Sequence, residues 1–266
     1  MKMIANLFST GLIAFSSGLI ATDMENSGFD WKTVINRMPL LPIENTISSP
    51  QVLHFYPYGK SVWNHETTAN YIRQHMQKAR VLDSDADHMR HAIDLIRPEG
   101  LVLEFGVCTG RSINFIAALC PRTIVHGFDS FQGLPEDWKE RGIVKGTFGF
   151  KDDSFRPPVL NNIRLHVGLF EEVLPLFVDT IHDQSIALIH LDADLYESTK
   201  TIFKYLGKHI SPGTIIVFDE YFNYDGWENH EYKAFQEFIA ESGLTYEYIS
   251  YNSLHEQVAV RIVNHP

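Results

Sequence analysis

What most limits the fold of this chain is a series of short apolar runs alternating with amphipathic stretches. The runs fall at residues 101–105, 123–128, 163–167, 186–191 and 214–218. Each has strand length and is mostly apolar, as expected of strands in a parallel sheet with crossover helices. Between them, residues 112–119 and 195–206 have helical periodicity, the second aligning Leu195, Ile202, Phe203 and Leu206. Residues 228–240 repeat the pattern with Tyr232, Phe235, Phe238 and Ile239. Two further strands, 245–251 and 257–262, are joined by a short turn at Asn252-Ser253 and should form an antiparallel hairpin. The expectation is an α/β fold: a doubly wound, seven-stranded, mostly parallel, Rossmann-like sheet with a C-terminal antiparallel hairpin and an N-terminal helical extension.

The 266 residues suit a main domain at 100–266 behind an extension at 1–99 that serves as an oligomerisation or lid element. Within the extension, Pro39, Pro42, Pro50 and Pro57 interrupt any long helix, and two helical stretches follow. Asp83 or Ser84 can cap the second, which places Met89, Ile93 and Ile96 on one face before Pro98-Glu99-Gly100 ends it. The apolar stretch after Met1-Lys2 has the outline of a signal or anchor. Asn6, Ser9, Thr10, Ser16 and Ser17 dilute it, which favours a packing or assembly segment in a cytoplasmic protein without a membrane partner. Two cysteines, Cys108 and Cys120, are no disulfide framework. A net charge of −11 without a basic cluster argues against nucleic acid as a partner.

Four motifs follow strand ends. Glu104-Phe105-Gly106-Val107-Cys108-Thr109-Gly110-Arg111-Ser112 runs a strand into a helix through two glycines. The spacing is not the dinucleotide G-x-G-x-x-G, so no pyrophosphate cradle is implied; a plain tight turn would look the same. Asp129, followed by Ser130, ends the next strand 23 residues beyond Gly106, where a carboxylate can accept two ribose hydroxyls or cap a helix. Together the two motifs point to a nucleoside without phosphate. His190-Leu191-Asp192-Ala193-Asp194 and Asp219-Glu220-Tyr221 place carboxylates past two later strands. If these strands are neighbours, Asp192, Asp219 and Glu220 converge and repel unless a cation sits among them. Hard oxygen ligands favour Mg²⁺ or Ca²⁺.

Gly127-Phe128-Asp129-Ser130-Phe131-Gln132-Gly133-Leu134-Pro135, His190 through Thr199, Pro212-Gly213 and Asp219-Glu220-Tyr221 resemble the macrocin-type O-methyltransferases. These belong to the class I enzymes that use S-adenosylmethionine (AdoMet). The similarity runs from about Leu101 to Val263 and includes the 27-residue step from Asp192 to Asp219. It implies AdoMet as methyl donor, a small hydroxylated acceptor such as a sugar or glycosylated metabolite, and Mg²⁺ held by Asp192, Asp219 and Glu220. The family usually has Asp-Asp where this chain has Asp219-Glu220, and often Gly in place of Ala193. It tends to assemble through N-terminal elements, so a homo-oligomer is expected. Glu104, Gly106, Cys108, Gly110 and Ser112 would hold the methionine end of the donor, and Asp129 with Ser130 its ribose. Gly168 and Phe170 would flank the adenine, although Phe170 also fits plain packing.

Asp192 is the first candidate to receive the acceptor's proton, and Asp194 the second. The long connection 133–160, with Trp138, Phe148 and Phe150, reads equally as a mobile cover or an ordered excursion. Three other readings stay open: an aminopropyl transferase, which uses the same fold with acidic residues near the donor, an N- or carboxyl-methyltransferase without metal, and a non-catalytic AdoMet-binding scaffold.

Overall fold

The computed structural model describes residues 61–264 apart from Asp153; the readings placed on residues 1–60 lie outside them. In chain order the elements are α1 (Glu66–His75), β1 (Arg80–Leu82), α2 (Asp85–Asp94), β2 (Leu101–Phe105), α3 (Arg111–Leu119), β3 (Val125–Asp129) and β4 (Ile163–Val167). They continue with α4 (Phe170–Ile181), β5 (Ile186–Leu191), α5 (Tyr196–Leu206), β6 (Ile215–Phe218), α6 (Glu231–Ser242), β7 (Thr245–Asn252) and β8 (Val258–Val263). The strands form one sheet in the order β1-β7-β8-β6-β5-β2-β3-β4. Only β8 runs antiparallel to its neighbours, β6 and β7.

The sheet therefore has eight strands, not the expected seven. The additional one, β1, pairs parallel with the end of β7. It is three residues long, with Arg80 and Val81 exposed, so it lacks any apolar run that a sequence could display. A second unanticipated element is α4, where Pro175 argues against a helix. It sits only two turns in, and Leu174, Phe177 and Ile181 still form a buried stripe.

Alternation along the strands separates two packed layers. Leu103 and Phe105 of β2, with Ile216 and Phe218 of β6, face α4, α5 and α6. Val102, Leu188, Ile215 and Val217 face α2 and α3. Ser84 is the residue that caps α2, its hydroxyl accepting the Asp87 amide at 3.2 Å. The helix stops at Asp94, and its buried side is Ala86, His88, Met89 and Ala92, with Ile93 and Ile96 only partly covered. Among the described residues no helix is long and apolar enough to cross a membrane.

Candidate active site

Strand order reverses between β2 and β5: the chain passes from β2 to β3 on one side and returns through β5 on the other. Ligands of open α/β sheets bind at such a point, beyond the carboxyl ends of the strands. A cavity of about 280 Å³ opens there. Its wall includes Gly106, Cys108, Ser112, Asp129, Ser130, Gly168, Phe170, Asp192, Asp194 and Asp219 from the sequence reading. Glu104, Gly110 and Glu220 do not reach it.

The glycine turn is forced by its surroundings. Gly106 has φ +89°, and a Cβ there would lie 1.8 Å from the Asp192 carbonyl oxygen, so the turns after β2 and β5 touch backbone to backbone. Asp129 fastens this turn from the next strand. Its Oδ2 accepts the amides of Val107 (2.8 Å) and Cys108 (2.7 Å), and its Oδ1 that of Phe131 (2.6 Å). A carboxylate has about four acceptor positions, so roughly one is left for a ligand, not the two that the sequence reading assigned to ribose. Burial still pushes its carboxyl above the usual range, against these three amides. The bonded amide also secures Cys108 at φ +43°, an uncommon conformation for a non-glycine residue.

Glu104 is fully buried behind the wall. It accepts the Ser112 hydroxyl at 3.2 Å and contacts His190 Nδ1 at 2.9 Å. The His190 Nε2 lies 3.8 Å from Asp219 Oδ1, which also accepts from Gln257 Nε2 at 3.1 Å. Burial alone would lower the His190 pKa, but Asp219 and Glu104 on either side raise it well above the histidine range. The ring thus bridges two carboxylates, and both favour its protonated form. The sequence reading quoted His190 in its motif without giving it a role.

The acidic group itself differs from the expected trio. Carboxylate oxygens of Asp192, Asp194 and Glu220 lie within 4.8 Å of one another, while Asp219 is turned toward His190 and Gln257. Asp194 reaches this position with φ +60°. Burial and then Asp219 raise the Asp192 pKa well above its usual value, and burial with Asp219, Asp194 and Asp192 does the same for Glu220. Asp194 is pushed up to about 7 by burial, against the pull of the Arg141 guanidinium. Glu220 Oε2 is buried with no hydrogen-bond partner among the described residues. Three crowded carboxylates, one of them with an unpartnered oxygen, fit a hard divalent cation. Behind them, Glu231 at the start of α6 accepts the Ala193 amide (3.3 Å) and the Glu220 amide (3.2 Å), joining both acidic loops. Nothing in the spacing of Glu231 announces that role.

The 133–160 connection is built as an ordered excursion. Trp138 is fully buried and packs edge-on against Tyr224. Arg141 lies over both rings, at 4.5 and 4.2 Å, and pairs with Glu256 in the β7–β8 turn. Gly133, Leu134, Pro135 and Phe148 from the same connection line the cavity.

Residues 103–221 match the family of methyltransferase domains. A Streptomyces olivaceus protein, 8-demethyl-8-(2,3-dimethoxy-alpha-L-rhamnosyl)-tetracenomycin-C 4'-O-methyltransferase, is 27% identical over 157 residues. That alignment takes in 51% of this chain and 59% of the relative, so the chain spans less than two thirds of the curated protein it matches. Two solved structures share the fold. The O-methyltransferase NovP is 21% identical with a TM-score of 0.52, over 67% of this chain and 79% of its own. The calicheamicin methyltransferase CalS11 is 18% identical with a TM-score of 0.52, over 92% and 94%. All the motifs that resemble the macrocin-type O-methyltransferases lie inside the matched segment. Over residues 103–221 the chain is thus similar to methyltransferase domains, and its sheet has the class I methyltransferase fold.

Proposed function

We propose that the protein transfers the methyl group of AdoMet to a hydroxyl of a small molecule, a sugar or a glycosylated metabolite, with the help of a divalent cation. The observation that carries the reading is a single cavity bounded on one side by the glycine turn and Asp129, and on the other by Asp192 and Asp194. The relatives add support, since the curated one is named for O-methylation of a rhamnosyl compound.

In such a transfer the acceptor oxygen forms a bond to the methyl carbon as the carbon–sulfur bond breaks, its electrons staying on sulfur. The residues contribute mainly alignment, which can supply a large part of the rate. Gly106 allows the close approach of the donor's sulfonium end, and Asp129 keeps the turn in shape. Asp192 or Asp194 accepts the hydroxyl proton, both lying on the wall the acceptor would occupy. Asp192, Asp194 and Glu220 would hold Mg²⁺, with Asp219 beside them; such an ion lowers the pKa of a hydroxyl it binds.

Calorimetric titration with S-adenosylhomocysteine, followed by transfer of labelled methyl to rhamnosides with and without Mg²⁺, tests the proposal. A folded sample that does not bind S-adenosylhomocysteine would sink it. One observation favours a second reading, transfer without metal: the Arg141 guanidinium already lowers the Asp194 pKa from within the protein. Full activity in a chelator would select that reading.

A further inference from the structure

Val62, at the start of the described residues, is fully buried, and its amide donates to the Ser253 carbonyl at 2.9 Å. The Ser253 amide in turn donates to the Leu82 carbonyl at 2.6 Å. The entry of the chain, the β7–β8 turn and the end of β1 are thereby stitched along one hydrogen-bonded path. Next in sequence to these three residues are Trp63 (48% exposed), Leu254 (40%) and Val81 (55%). They account for three of the eight large hydrophobic residues left exposed among the described residues, so exposure is concentrated at this junction. β1 is also the end strand of the sheet, and among the described residues β7 is its only strand neighbour. A bare edge strand carrying an apolar side chain is a template for a further strand unless something covers it.

The chain's own preceding segment is placed to be that cover. Sixty residues precede Ser61, and those nearest the junction include Val52-Leu53-His54-Phe55-Tyr56, a run of strand length with β-branched and aromatic members. Pro57 follows and biases Tyr56 toward extended backbone. From Tyr56 to Ser61 the chain spans at most about 17 Å, a little over three strand spacings of roughly 4.8 Å. The run is therefore tethered within reach of β1, at an effective concentration on the order of millimolar that a second copy in dilute solution does not match.

We propose that residues 52–56 dock on this patch as a further strand beside β1, covering Val81 with Trp63 and Leu254 at its border. The turn they would brace carries Gln257, whose amide donates to Asp219, so the docked strand supports the candidate site from a distance. The proposal concerns this surface and stands apart from the chemistry assigned to the cavity.

Hydrogen exchange on the full chain tests it. Amides of residues 53–56 should exchange at least tenfold more slowly than in an unstructured peptide of the same sequence. Val81→Asp, a change at an exposed position, should return them to the unstructured rate. The occupant is identified by oxidising Val81→Cys combined in turn with Val52→Cys, Leu53→Cys, His54→Cys, Phe55→Cys and Tyr56→Cys. At least one pair should give an intrachain disulfide in the monomer that the Val81→Cys single variant does not form. Unprotected 53–56 amides in wild type, or no intrachain link in any pair, would overturn the docking. A disulfide-linked dimer in place of the intrachain product would also overturn it and give the patch to a second copy.

Discussion

Replacing Asp129 by asparagine separates a ligand contact from a structural clamp. The carboxylate accepts two amides on Oδ2 and one on Oδ1. Asparagine retains one carbonyl oxygen. Placed at the Oδ2 position it keeps two bonds, but its NH₂ then faces the Phe131 N–H, donor against donor. Hydrogen bonds to a charged acceptor are worth about 1.5–3 kcal/mol and neutral ones about 0.5–1.5. Weakening two and losing the third therefore costs roughly 4 kcal/mol on the same scale. Removing a charge that burial disfavours returns part of this, since the Asp129 pKa is already raised. A net destabilisation of about 2–3 kcal/mol follows, or roughly 5–10 °C in melting temperature for a domain of this size. Thermal unfolding without ligand reads it directly. A melting temperature within about 2 °C of wild type, together with lost S-adenosylhomocysteine affinity, would refute the clamp and return Asp129 to a ribose contact alone.

Gly106→Ala should be more damaging, because its Cβ would meet the Asp192 carbonyl at 1.8 Å in a backbone conformation with φ +89°. Loss of both soluble yield and ligand binding is expected, and a variant that melts like wild type would contradict it. The Asp194 pKa is raised, to about 7, so its stability contribution is present below the unfolded carboxylate pKa near 4 and disappears as pH rises through about 7. Asp194→Asn should accordingly flatten the fall of melting temperature between pH 4 and 8 in metal-free protein, and an unchanged slope would disprove the crowding. Mg²⁺ added at pH 8 should raise the melting temperature of wild type more than that of this variant. Trp138→Ala removes a fully buried indole from beneath Arg141, and should cost about 3–5 kcal/mol while exposing the 133–160 connection to limited proteolysis. Resistance equal to wild type would contradict the ordered packing described above.

The central sheet was legible because its strands are short and mostly apolar runs. Residues 101–105, 163–167 and 186–191 keep the bounds read from the sequence. The misses have local causes. β1 owes its pairing to β7 and not to any pattern of its own, and Pro175 hides a helix that its apolar stripe supports. In the site, position past a strand end was enough to bring Asp129, Asp192, Asp194 and Asp219 to one cavity. What sequence position does not encode is which way a side chain turns. Glu104 and Asp219 are drawn to His190 across adjacent strands, and Asp194 enters the acidic group through a left-handed backbone angle. Glu231 owes its place to a helix that begins well after either acidic turn's motif, so it has no motif to be recognised by.

The ion pair between Arg141 and Glu256 bears on how such a protein can be remodelled. Glu256 is next in sequence to Gln257, whose amide holds Asp219. The wall facing an acceptor and the turn that supports an acid are thereby interlocked. Transplanting residues 133–160 from a relative, the obvious route to a new acceptor preference, would take the guanidinium from Glu256 and disturb Asp219 through its neighbour. A successful chimera would need to exchange the hairpin turn together with the loop, and natural drift in acceptor choice is expected to change both segments in step.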